Sequence, residues 1–217
     1  MASLLDIFGQ QGFDTKPKAI LPAYYAGRKF MGSIFGRQIA EYLNLNMDHG
    51  PWLAGGAVRK IYLNEDIAGS DWDFWFKSPE QFKLAEQKIK DLGASMAYTS
   101  DNAVSYKYYT DDGSIQNLQI VKTRFFDNAQ QVIDQFDFTV CQLATDGNTT
   151  IIGRNTAKDL RTKTIRLSNT KLPAYIMPRL VKYMVYGYRP CAALLTQIDQ
   201  NLDSIDWEKT INDYEAV

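Results

Sequence analysis

The chain has 217 residues, 45% of them hydrophobic, and a formal net charge of −1. That supplies one sizeable core, or a main domain with a small appendage, and excludes a chain built as a whole to coat nucleic acid. Two cysteines exclude a disulfide framework, and a single histidine, His49, argues against histidine-based hydrolysis and His-rich metal sites. The first residues lack a signal-peptide layout, and no apolar run reaches the ~18 residues of a membrane span. The expectation is therefore a protein of the reducing cytoplasm, with no membrane partner.

In chain order, residues 1–22 read as a lead-in that ends at Pro22. Residues 23–44 are predicted helical, because Met31, Ile34, Phe35, Ile39, Tyr42 and Leu43 recur at helical spacing. "PWLAGG" reads as a short strand entering a glycine turn, "AVRKIYL" as a helix and "DWDFWF" as a strand. Ser78, Pro79 and Gln81 form the clearest helix start in the chain. Phe82, Ala85, Ile89 and Leu92 would line that helix's buried face, and Gly93 would end it. "AVSYKYYT", the turn "DDG" and "SIQNLQIV" predict a hairpin. Asp127 is placed as the cap of a helix running to Phe136, with Val132 and Ile133 inward. "DFTVCQLA" and "TTIIG" predict a second hairpin, with Cys141 a buried residue of its first strand. The pattern after Gly153 is helical to the end. The domain expectation is a main domain over 1–153 and a small helical region over 154–217 that closes in an acidic tail.

Charge is unevenly spread. Residues 154–189 carry nine Lys/Arg against one acid, Asp159, and the residues from Pro190 onward carry six acids against Lys209. A basic segment of this kind is either a binding face or a solvated helix with its flanks. Tyr183, Tyr186 and Tyr188, with Tyr175 before them, could stack on RNA bases or simply pack.

The chemistry concentrates in "GSDWDFWF", residues 69–76. Residues two apart in a strand share a face, so Asp71, Asp73 and Trp75 point one way and Trp72, Phe74 and Phe76 the other. Two carboxylates held side by side repel unless a cation lies between them. Mg²⁺ commonly uses one or two carboxylates together with substrate phosphates. Asp71 and Asp73 are thus candidate ligands of Mg²⁺ or Mn²⁺, against the bland reading of a surface strand. Gly55 and Gly56 precede them at a strand-to-helix turn, where backbone N–H groups can approach an anion. Arg59, one turn into the helix, could reach the same phosphates. Taken alone, a Gly-Gly pair is more often an ordinary tight turn.

In this order, "GGAVRK" (55–60) and "SDWDFWF" (70–76) resemble the DNA polymerase β-type nucleotidyltransferase superfamily, above all the head and neck of CCA-adding enzymes and bacterial poly(A) polymerases. "LQIVKTRFF" (118–126), "FDFTVCQLATDGNTTIIG" (136–153) and "LPAYIMPRLVKYMVYGYR" extend the likeness. The resemblance implies an α+β nucleotidyltransferase fold, with a mixed, mostly antiparallel sheet flanked by helices and a small C-terminal helical region. It implies metal on Asp71 and Asp73 as the catalytic pair, and an NTP held by Gly55, Gly56, Arg59, Ser70, Asp137 and Arg179. It also implies an RNA or tRNA partner at residues 154–189. Lys60 stands where the family has an aspartate, Gln119 where a third carboxylate would fall, Gln135 and Phe136 in place of paired arginines, and Tyr175 and Ile176 in place of Glu and Asp. Three classes follow: a nucleotidyltransferase acting on an RNA 3′ end, the same chemistry on a protein or small-molecule hydroxyl, or a nucleotide-binding member without turnover.

Overall fold

Alternation of apolar and polar side chains marks the central strand of the sheet, Asp71–Trp75. The structure is a computed structural model that describes residues 34–67, 69–110, 113–168 and 176–201. The expected lead-in over 1–22, the first part of the helix predicted over 23–44, the tip of the "DDG" turn, Tyr175 and the acidic tail lie outside the described residues.

The chain divides into two units. In the first, the described residues 34–136 join with Cys141–Gly153. Its elements begin with α1 (Ile34–Leu43), β1 (Trp52–Ala54), α2 (Gly56–Tyr62), β2 (Asp71–Trp75) and α3 (Pro79–Asp91). They continue with β3 (Ser95–Thr99), β4 (Ala103–Tyr109), β5 (Ile115–Val121), α4 (Ala129–Asp134), β6 (Leu143–Thr145) and β7 (Thr150–Ile152). The seven strands form one sheet in the order β3-β4-β5-β2-β1-β6-β7. Every neighbouring pair is antiparallel except β2 with β5. This mixed, mostly antiparallel sheet flanked by helices is the α+β fold expected from the sequence.

Strand β2 lies in the middle of the sheet, and its burial alternates as its sequence does. Trp72 and Phe74 are fully buried, Asp71 is exposed, and Asp73 and Trp75 are half-buried. The apolar face continues onto the neighbouring strands through Leu53, Leu118 and Ile120. Fully burying each such side chain contributes about 1.5–3 kcal/mol, so register is strongly specified here. The opposite face has its own smaller core, where Trp52, Ala54 and Ala144 pack with Ala129, Val132 and Ile133 of α4. Trp75 closes that cluster with edge-on contacts to Phe126 and Phe136 at 5.9 and 5.7 Å.

Helix α3 starts as the sequence predicts. The Ser78 hydroxyl accepts from the Gln81 amide at 3.2 Å, and Gln81 Oε1 accepts from the Lys77 amide, one residue before the cap. Ala85 and Ile89 are buried, and Phe82 packs edge-on against Phe76. Gly93, at φ +83°, ends it, with the Ala94 amide donating back to the Ile89 carbonyl. In α1, Ile39 and Leu43 face inward as expected, whereas Tyr42 is exposed.

Several expectations are corrected. The cap of α4 is Asn128, not Asp127: the Asn128 side chain accepts from the Gln131 amide at 3.0 Å, and Asp127 instead accepts from the Gln131 side chain. "DFTVCQLA" is not a continuous strand. Thr139–Cys141 form a 3₁₀ turn and only Leu143–Thr145 pair in the sheet, so Cys141 is half-buried in a turn rather than inside a strand. β3 is an additional strand. All five of its residues are exposed, so no alternation announces it. β3 also carries a bulge, because Met96 pairs with Tyr106 while Tyr98 pairs with Ser105, which leaves Ala97 as an extra residue.

The second unit joins Asp137–Val140 to the residues from Arg154 onward. It contains α5 (Thr156–Arg161), β8 (Thr164–Ile165), α6 (Ile176–Val185), β9 (Arg189–Pro190) and α7 (Ala192–Gln200). It is mostly helical, but β8 and β9 form a short parallel ladder that helical periodicity does not predict. At its centre Asp159 is fully buried. It accepts from the Thr139 hydroxyl at 2.7 Å and from Arg166 Nε at 3.1 Å. That carboxylate holds the Arg166 guanidinium above its ordinary pKa through its hydrogen bond. Of the tyrosines of α6 and beyond, Tyr188 is buried whereas Tyr186 is exposed. Tyr183 meets Phe138, Tyr186 and Tyr188 edge-on at 5.6–6.1 Å.

Candidate active site

The site is built where β1 turns into α2 beside β2. Gly55 adopts φ +86° and ψ −134°, a conformation that costs any other residue strain. Its amide donates to the Leu143 carbonyl at 2.9 Å, and its carbonyl accepts from the Arg59 amide at 3.0 Å, so the bend is tied at both ends. Ala54 is the register partner of Asp73. The glycine that follows Ala54 therefore lies against Asp73: a Cβ at Gly55 would stand 3.7 Å from Asp73 Oδ2. A Cβ at Gly56 would meet nothing within 4 Å. The position a Gly56 side chain would take is thus open space, one residue on from the glycine that lies against Asp73.

Asp71 and Asp73 lie on one face of β2, as the period of two requires. Across the parallel pairing with β5, Asn117 is opposite Asp71 and Gln119 opposite Asp73. The third position on this face is therefore a neutral amide. Gln119 Nε2 donates to the Tyr98 hydroxyl at 2.9 Å, across strand β4, over buried Ser105. Among the described residues no group of three or more His, Cys, Asp or Glu side chains gathers that could hold a metal ion. Two carboxylates on one face of β2, one exposed and one half-buried, still fit one hard divalent cation that shares its other positions with water and phosphate oxygens.

Six of the predicted residues, Gly55, Gly56, Arg59, Ser70, Asp71 and Asp73, fall in the first unit around this bend. Arg59 is 3% exposed, well inside the unit. Ser70 is buried and its hydroxyl accepts from Lys60 Nζ at 2.8 Å. The other two, Asp137 and Arg179, belong to the second unit, where Arg179 Nη1 donates to the Asp137 carboxylate. Asp137 is nearly covered in this pair, whereas Arg179 is 60% exposed. A nucleotide that used either side chain would compete with that ion pair. Lys60, which was not among the predicted site residues, lies beside them through its hydrogen bond to Ser70. Its only signal in the sequence was a change of charge sign at a motif position.

Residues 26–163 match the Gabija anti-defense 2 protein family. The chain belongs to this family. It is similar to Gabija anti-defense 2 of Bacillus phage SPbetaL7, at 26% identity over 127 residues. That match covers 58% of this chain and 29% of the phage protein, so the chain spans less than a third of that relative's length. Among solved structures, a complex of a CCA-adding enzyme with CTP aligns at TM-score 0.64 and 14% identity, covering 86% of this chain and 47% of that one. The Thermotoga maritima CCA-adding enzyme complexed with tRNA aligns at 0.61 and 13% identity, covering 86% and 46%. A tRNA nucleotidyltransferase with a primer tRNA and an incoming ATP analogue aligns at 0.59 and 19% identity, covering 82% and 54%. At these identities the likeness is one of fold: the chain has a nucleotidyltransferase-like fold of the kind seen in CCA-adding enzymes. No helix among the described residues is long and apolar enough to cross a membrane.

Proposed function

We propose that this protein is a nucleotidyltransferase that moves a nucleoside monophosphate from an NTP to an acceptor hydroxyl, with an RNA 3′ end as the acceptor. The observation that carries the reading is the seating of the diglycine bend against Asp73, whose strand neighbour on the same face is Asp71, 3.7 Å from a Gly55 Cβ position to Asp73 Oδ2. In this reading Asp71 and Asp73 hold Mg²⁺ or Mn²⁺. Once bound, the cation neutralises phosphate charge and polarises the acceptor hydroxyl. Gly56 lets the backbone come close to the triphosphate, because a side chain there would occupy that space. Ser70 and Arg59 flank the same bend. The acceptor hydroxyl gives up its proton to water, its oxygen forms a bond to the α-phosphorus as the bond from that phosphorus to the bridging β-phosphate oxygen breaks, and pyrophosphate leaves. The protein's share is positioning and charge, with no covalent intermediate.

An RNA acceptor is supported by the charge of the second unit. Arg154, Lys158, Arg161, Arg179 and Lys182 are exposed, while Asp159, the one acid of residues 154–189, is buried against Arg166. The family's name favours a second acceptor class, a protein or small-molecule hydroxyl belonging to the defence that such proteins oppose.

The test is incubation of the chain with each labelled NTP, Mg²⁺ or Mn²⁺, and either total RNA or cell protein. Label entering RNA supports the first acceptor, and label entering protein supports the second. Asp71→Asn and Asp73→Asn are each expected to abolish incorporation with the fold intact by circular dichroism. Turnover that survives both substitutions, or no incorporation by the wild-type chain under any condition, overturns the reading.

A further inference from the structure

One charged side chain at the bend has no part in the mechanism above. Lys60 follows Arg59 on α2, and its ammonium sits on the Ser70 hydroxyl at 2.8 Å. Ser70 immediately precedes Asp71, so the positive charge is tethered one residue from the carboxylate pair. Arg59 is 3% exposed, whereas Lys60 is half-buried, so Lys60 is the more accessible cation of this turn. On the far side of Asp73 the register partner is Gln119, neutral and engaged with Tyr98. Among the described residues no third acidic ligand completes a larger cluster. Asp71 and Asp73 therefore bring two negative charges, and Lys60 brings a positive one on a flexible stem. Two carboxylates suffice for one hard cation that also binds phosphate. Opposite Asp73 on β5 the side chain is an amide, which brings no charge for a second cation.

We propose that Lys60 binds the terminal phosphates of a nucleoside triphosphate, beside a single divalent cation held by Asp71 and Asp73. This rests on the nucleotidyltransferase reading and adds to it the side chain that holds the terminal phosphates and the number of metal ions. An ammonium is a compact charge with three donors on a flexible stem. One donor stays on Ser70 and the others turn to phosphate oxygens. The Ser70 hydroxyl, accepting from Lys60, keeps its own proton to donate to the same phosphates. Lys60 thus supplies charge that a second metal ion would otherwise bring, and it discriminates triphosphate from shorter phosphate chains.

The experiment uses the full chain and the non-hydrolysable α,β-methylene triphosphates, one base at a time, beside the matching diphosphate and nucleoside. Affinity is read by calorimetry in Mg²⁺, and bound Mn²⁺ is counted by electron paramagnetic resonance. The wild-type chain is expected to bind one Mn²⁺ with the triphosphate. Lys60→Met is expected to weaken triphosphate binding about tenfold, the scale of one charge-assisted hydrogen bond, with nucleoside binding and Mn²⁺ count unchanged. Lys60→Arg should recover most of the affinity, and it carries the comparison if the Met variant fails to fold. Wild-type triphosphate affinity in Lys60→Met, an equal loss for the nucleoside, or two Mn²⁺ per chain overturns the proposal. If the wild-type chain binds no triphosphate at all, the nucleotide reading itself falls. Binding that ignores Lys60 removes only this inference.

Discussion

Replacing Gly55 and Gly56 by alanine, one at a time, should give opposite effects on stability from neighbouring positions. At Gly55 the backbone sits at φ +86°, ψ −134°, and an added Cβ would stand 3.2 and 3.3 Å from two ring carbons of Phe136. The strained backbone costs about 1–3 kcal/mol. The ring must shift by a few tenths of an ångström, which disturbs its edge-on contact with Trp75, itself worth ~0.5–1.5 kcal/mol. Together these give a loss of about 2–4 kcal/mol for Gly55→Ala. Gly56 begins α2, and nothing lies within 4 Å of its added Cβ. Gly56→Ala should leave stability unchanged or raise it by up to ~1 kcal/mol, because alanine loses less backbone freedom on folding. Urea unfolding followed by tryptophan fluorescence measures both. With a slope of ~2 kcal/mol per molar, the Gly55→Ala midpoint falls by about 1–2 M. On the proposed function, the more stable Gly56→Ala chain should nonetheless bind triphosphate more weakly, since its methyl group fills the space beside the phosphates. A Gly55→Ala midpoint within 0.3 M of wild type, or a Gly56→Ala chain clearly less stable than wild type, would refute the account of the bend (both margins being about the scatter of the method).

Other perturbations probe the rest of the molecule. Asp159→Ala removes the carboxylate that Thr139 and Arg166 share and should cost about 3 kcal/mol by chemical unfolding. Asn128→Ala should cost ~1 kcal/mol, whereas Asp127→Ala, at a residue that does not cap α4, should cost less than half of that. Burial, and then the hydrogen bond to Glu86, push the Tyr106 phenol above its ordinary pKa of 10.0. A raised folded-state pKa gives stability that is fully present below pH ~10 and is lost as pH rises beyond it. Tyr106→Phe should therefore flatten the alkaline limb of a stability–pH curve above pH ~10, and an unchanged limb would assign the alkaline loss to other groups.

The parts of the fold that could be read from the sequence were those set by local chemistry. Strand β2 shows its two faces in six letters, because large apolar side chains alternate with carboxylates. The start of α3 is equally local, since Ser78, Pro79 and Gln81 lie within one turn. The misplaced cap at Asp127 is a one-residue error between two side chains that both accept backbone N–H bonds well. What was not legible depends on partners distant in sequence. "DFTVCQLA" has the composition of a strand, yet the Thr139 hydroxyl is drawn to Asp159, twenty residues on, and the backbone there forms a 3₁₀ turn. The ladder of β8 and β9 joins two residues to two others more than twenty positions away. In the candidate site, the aspartate pair and the glycines were legible because their spacing carries the geometry. Lys60 was not, because only the fold brings Ser70 within reach of its ammonium.

The extra residue in β3 decides which side of the sheet Tyr98 occupies. Strict alternation from Ser95 would send the Tyr98 ring to the helix-covered surface with Met96, and Ala97 would take its place above Ser105. The insertion of Ala97 inverts that order for the remainder of the strand. It thereby delivers a phenol to the amide of Gln119, two strands away. Deleting Ala97 would leave the strand's composition almost intact while taking the Tyr98 phenol away from Gln119 on the aspartate-bearing surface.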